Sequence, residues 1–63
     1  MEVTKMLDLY KNIRKFRKEK KMSQQRLAEL TGYTDRSSIA RIEKGEIDLP
    51  QSKIFLFANA LGV

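Results

Sequence analysis

Cysteine and histidine are both missing from this chain of 63 residues, and proline occurs once. Without cysteine there is neither a disulfide nor a thiolate metal site. Without histidine the commonest metal ligand and general base is gone. No cofactor or metal is therefore expected, and no enzymatic activity. The carboxylates do not reverse this expectation. Asp35 and Glu43 stand eight residues apart on one helical segment, where capping and ion pairing suit them better than shared acid–base work. No glycine-rich loop is present to cradle a phosphate, and no small-molecule ligand is evident. Long apolar runs are also absent, so nothing can span a bilayer, and no stretch resembles a secretory signal. The expected compartment is the cytoplasm.

So short a chain makes a single domain over residues 1–63. A domain of this size buries only roughly 60% of its unfolded surface, and with no staple available its stability must come from helix packing on helix. Thirteen Lys and Arg against eight Asp and Glu leave a net charge of +5, with a pI near 9.8. Such a surplus favours a polyanionic partner, nucleic acid before an anionic membrane. Plain solubilising charge is the alternative, and charge alone does not decide between them.

Periodicity and punctuation divide the chain into helices. Tyr10, Ile13, Phe16, Arg17 and Lys20 recur at intervals of three and four, one stripe of an amphipathic helix with Asp8 as a candidate N-cap. Seven Lys or Arg lie between Lys11 and Lys21, opposed by Glu19 alone. The apolar stripe is narrow, so a solvated basic face over a core stripe fits better than a membrane-surface helix. Ser23 is a natural N-cap for the next helix, and Met22 before it can pack on Leu27. Leu27 and Leu30 are expected to face inward, Ala28 allows a close helix approach, and Gly32 supplies the left-handed residue that ends the segment.

Asp35 or Thr34 caps a third helix that runs to Gly45. At 3.6 residues per turn, Ile39 and Ile42 share one side, while Arg36, Ser37, Ala40, Arg41 and Lys44 share the other. After a loop containing Pro50, Ile54, Phe57, Ala58 and Leu61 form the apolar stripe of a last helix ended by Gly62. The fold class predicted is all-α, a compact bundle of four to five helices.

With the second and third helices placed, residues 24–45 read as a helix-turn-helix, and the chain resembles the family of lambdoid phage repressors and Cro-like transcriptional regulators. Ile13, Phe16, Arg17, Ser23-Gln24, Leu27-Ala28, Gly32, Ile39, Ile42-Glu43, Gly45, Ala58, Leu61 and Gly62 carry the match. The resemblance implies a lambda-repressor-like DNA-binding domain that acts as a sequence-specific regulator of transcription, a repressor, as a homodimer on double-stranded DNA. It places helix 35–44 in the major groove. It implies base contacts from Arg36, Ser37 and Arg41, and a phosphate contact from Gln24. Lys44 lies on the same face and suits phosphate. Arg17 and Glu43 resemble a family ion pair between the first and third helices.

Three departures stand out. One residue more than the commonest family spacing separates Gly32 from Ile39, which leaves the first base-reading position open by one residue. Lys21 stands where relatives have glycine, and Glu46 and Asp48 occupy a loop often basic in relatives. Many relatives continue into a fifth helix and a further domain, so the chain is either a whole small regulator or the N-terminal part of a longer one. Phe55 and Leu56 add apolar surface that suits a dimer contact, a further segment or a fuller core. The competing expectation is a protein-interaction module on the same fold, such as an antitoxin-like or anti-repressor partner, marked by an exposed apolar patch around Phe55.

Overall fold

Capping chemistry sets most of the helix boundaries. The structure is a computed structural model that describes the backbone of residues 3–62 and the side chains of residues 11–62. Four helices follow in order: α1 (Val3–Glu19), α2 (Gln24–Leu30), α3 (Arg36–Lys44) and α4 (Ile54–Leu61), the last entered through a 3-10 turn at Gln51–Lys53. Ser23 caps α2, its hydroxyl accepting from the Arg26 amide at 3.0 Å. Asp35 caps α3, its carboxylate accepting from the Ser37 amide at 2.8 Å. Each side chain satisfies a backbone donor that has no partner within its helix.

Asp8 does not cap α1. It lies inside the helix, which begins at Val3, because no glycine or proline stands between Val3 and Asp8 to break it. The Tyr10 side chain of the expected α1 stripe falls outside the described residues. Within the stripe, Ile13 and Arg17 are buried, Phe16 is half-buried, and Lys20 is exposed.

The core is assembled from Ile13, Leu27, Ala28, Ile39, Ile42, Phe57 and Leu61. Phe16, Met22, Tyr33, Leu49 and Ala60 pack around it. Helix α3 lies against both α1 and α2, and α4 closes on the same two helices. Two expected core residues sit at the rim instead. Leu30 is 38% exposed, because Thr31 occupies the middle of the inward arc of α2 and leaves Leu30 at its edge. Fully buried Thr31 is satisfied by donating its hydroxyl to the Leu27 carbonyl at 2.7 Å. Ile54 is 45% exposed. It opens α4 directly after the 3-10 turn and lines the rim of an apolar groove with Phe16, Leu49 and Phe57.

Helices α1 and α3 end in one geometry. The amides of Lys21 and Met22 reach back to the carbonyls of Lys18 and Arg17, and those of Gly45 and Glu46 to Ile42 and Arg41. This closure needs a left-handed residue. At α3 it is Gly45, with φ 78°, and at α1 it is Lys21, with φ 55°, the one non-glycine residue at positive φ among the described residues. A residue bearing a Cβ is strained there by roughly 1–2 kcal/mol, of which the larger unfolded-state entropy of glycine would return part. Lys21→Gly is therefore expected to stabilise the domain by about 0.5–1 kcal/mol. Urea unfolding checks this: the midpoint should rise with no change in slope, and an unchanged or lower midpoint would show that the strain is not there.

Candidate nucleic-acid interface

Helix α3 is strongly two-sided. Ile39 and Ile42 are fully buried, whereas Arg36, Ser37, Arg41 and Lys44 are all exposed and Ala40 is half-buried. On the helical wheel those five residues form one continuous arc, with Ser37 and Lys44 opposite the core. The arc is rich in donors, carries no carboxylate and projects from a helix capped at both ends.

Its first turn is fixed by Asp35. Besides the amide of Ser37, the Asp35 carboxylate accepts a short hydrogen bond from the Ser37 hydroxyl. The Ser37 oxygen therefore spends its only hydrogen inside the protein and faces outward as an acceptor. The Ser37 hydroxyl, then the Ser37 amide, with smaller help from the Arg41 charge, hold the Asp35 carboxyl below its ordinary value.

The rotation of α3 about its axis is held from behind. Arg17 Nε donates to Glu43 Oε2 at 2.6 Å and Nη2 to Oε1 at 3.2 Å, a bidentate pair. The two side chains are only 10% and 4% exposed. The remaining arm of Arg17 donates to the Met22 carbonyl at 2.9 Å. Gln24, the first residue of α2, donates its side-chain amide to Glu43 Oε1 at 3.2 Å. One carboxylate thus ties α1, α2 and α3 together, and no buried side-chain polar atom among the described residues lacks a partner.

The turn between α2 and α3 has its own brace. Lys53, just before α4, donates to the Thr31 carbonyl at 2.8 Å and sits 4.6 Å from the centre of the Tyr33 ring. Tyr33 packs edge-on against Phe57 at 6.3 Å, and its partial burial raises the phenol above its usual value. A Cβ on Gly32, where φ is 81°, would come within 3.1 Å of the Lys53 ammonium. Sequence spacing did not single out Lys53, because its partners lie 22 and 20 residues away.

The expected site residues thus fall into two groups. Arg36, Ser37, Arg41 and Lys44 share the open arc, while Arg17, Glu43 and Gln24 form the network beneath it. Between the groups, Arg14, Arg17, Gln24, Ala40, Glu43 and Lys44 line a cleft of about 200 Å³. Arg14 was not among the expected site residues.

The family model described as helix-turn-helix matches residues 13–63. No curated protein and no solved structure matches the chain.

Two outcomes follow from the geometry. Removing one member of a buried ion pair strands the other charge, at roughly 3–5 kcal/mol. Total stability for a domain of this length is on the order of 3–9 kcal/mol. Glu43→Ala is therefore expected to leave a large unfolded fraction at room temperature. Arg17→Met with Glu43→Leu should recover much of the loss, and urea unfolding of all three variants reads both effects. The second outcome concerns Asp35. A carboxyl with a depressed folded-state pKa stabilises fully above its unfolded value, and that contribution is lost as pH falls through the folded one. The amides opening α3 should lose protection from hydrogen exchange in that acid window. Asp35→Asn, which still caps, should abolish this pH dependence, and an identical acid profile in the variant would exclude Asp35 as its source.

Proposed function

From a chain that belongs to the helix-turn-helix family shared by lambdoid phage repressors and Cro-like regulators, we propose a sequence-specific repressor of transcription that inserts α3 into the major groove of duplex DNA. Membership makes it a DNA-binding regulator; the finer assignment is our reading. The single observation behind it is the open arc of α3, with two arginines, a serine and a lysine exposed opposite fully buried Ile39 and Ile42. A major groove admits one helix, and its base edges present donors and acceptors to such side chains.

Arg36 and Arg41 are assigned to guanine, whose O6 and N7 suit a bidentate guanidinium. Ser37, with its hydrogen held by Asp35, is assigned as an acceptor for the amino group of cytosine or adenine. Lys44 and Gln24 are assigned to phosphates, Gln24 through the amide hydrogen that Glu43 leaves unused. Arg17 and Glu43 position α3 and read nothing themselves. Two copies on one DNA face would place their α3 helices about 34 Å apart, in successive major grooves. No helix among the described residues is long and apolar enough to cross a membrane, and the proposed site of action is the cytoplasm.

A second reading rests on Phe55, which is 80% exposed, with Ile54 and Leu56 also exposed beside it. It takes the domain as a protein-interaction module with little affinity for DNA. Selection from a duplex library separates the two: no enrichment, and negligible binding in low salt, would favour the module. Under the repressor reading, Arg41→Ala weakens the selected site by about 1–3 kcal/mol, roughly 5- to 150-fold, and random DNA by much less. Equal losses on both duplexes would reject base readout by Arg41.

A further inference from the structure

The cleft behind the open arc is lined by three cations, Arg14, Arg17 and Lys44, and one carboxylate, Glu43, a surplus of two positive charges. That carboxylate is fully committed. Arg17 takes both of its oxygens, and Gln24 adds a further hydrogen bond to one of them. Arg17 is spent as well, on Glu43 and the Met22 carbonyl. Arg14 and Lys44 are left, exposed on α1 and α3, with no hydrogen bond or ion pair among the described residues. Two cations that line one small opening repel each other until an anion enters between them.

We propose that this cleft seats one phosphodiester of the DNA backbone, with Arg14 of α1 as a phosphate-binding residue outside the helix-turn-helix, opposite Lys44. The proposal rests on the DNA-binding reading above and adds to it a contact from the first helix. Guanidinium geometry suits the task, since Arg14 can offer two parallel N–H donors to the non-bridging oxygens. Lys44 supplies the opposing charge, and Gln24, which also lines the cleft, keeps one side-chain amide hydrogen that Glu43 does not take. Lys15, the neighbour of Arg14, lies about 100° round the helix and does not line the cleft. The seat therefore discriminates between two adjacent cations of equal charge.

The test is salt-dependent binding of the selected duplex and of a random duplex, for the parent chain, Arg14→Ala, Arg14→Lys and Lys15→Ala, each first checked for unchanged helical content. One phosphate contact contributes about 0.9 to the slope of log affinity against log salt. Arg14→Ala should flatten the slope by about that amount on both duplexes, because a phosphate carries no sequence. Arg14→Lys should keep the slope, and Lys15→Ala should leave it unchanged. A parent-like slope for Arg14→Ala, or an equal change for Lys15→Ala, overturns the seat while DNA binding itself stands. A parent chain with no salt-dependent duplex affinity removes the DNA-binding reading and the seat together. Inorganic phosphate is titrated into the free protein as a further arm. Saturable binding that needs Arg14, with no change in duplex slope, would assign the cleft to a free anion and overturn the DNA contact.

Discussion

The ion pair between Arg17 and Glu43 is the constraint on which the rest of the structure depends. Its partners lie 26 residues apart, on α1 and α3, and both side chains are almost wholly withdrawn from water. Taking them out of water costs several kcal/mol per ion, and Coulomb attraction repays this only where geometry is good and every remaining donor is used. Here the geometry is good and all three guanidinium nitrogens are engaged, Nε and Nη2 on Glu43 and Nη1 on the Met22 carbonyl, while Gln24 adds a further hydrogen bond to the carboxylate. Apolar packing by Ile39 and Ile42 holds α3 against the core but tolerates small rotations. Directed, charge-assisted hydrogen bonds tolerate far less. The pair therefore fixes the direction in which the outer face of α3 points, as the proposed reading of base edges requires.

The ends of the helices bear on this constraint. Helix α1 must stop soon after Arg17 so that the Met22 carbonyl can turn back to accept from the Arg17 side chain, and it does so with Lys21 in the left-handed region. The strain at Lys21 and the satisfaction of Arg17 are thus two consequences of one turn. At the other side of the domain, Lys53 performs an analogous service for α2, placing a cation on the Thr31 carbonyl at the helix C-terminus, where the backbone dipole favours positive charge. The two braces fix α2 at both ends, Gln24 to Glu43 and Thr31 to Lys53, and α2 in turn packs against α3.

Local chemistry made most of the fold legible in the sequence. Ser23 and Asp35 as caps, Gly32, Gly45 and Gly62 as terminators, and the spacing of Ile39 and Ile42 each report on a few neighbouring residues, and the structure has them in those roles. Asp8 was misread because a residue type that favours caps is also tolerated inside a helix, and its flanking residues carry the helix past it. Leu30 and Ile54 were misplaced because periodicity marks the apolar side of a helix without marking where the neighbouring helices stop. Lys53 and Arg14 were illegible for a different reason. What marks them lies across the fold, a carbonyl 22 residues from Lys53 and, for Arg14 in the proposed seat, Lys44 on another helix, and neither leaves a local trace.

If α3 reads base edges as proposed, a single arc covers only the lower part of the discrimination that specific complexes show, and this favours the proposed pairing of two copies. Two arginines and one serine give about 2–6 kcal/mol of discrimination if each arginine engages a guanine fully. Specific protein–DNA complexes are typically about 4–10 kcal/mol tighter than the same protein on random sequence. One domain reaches only the lower part of that range, and two in successive grooves span it. The surplus charge of +5 does not close the gap, because attraction to phosphates acts on every sequence alike. Charge on α1 and in the cleft would raise the time spent on DNA of any sequence, while the arginines of two arcs, each aimed by its own buried ion pair, would decide where that time is spent.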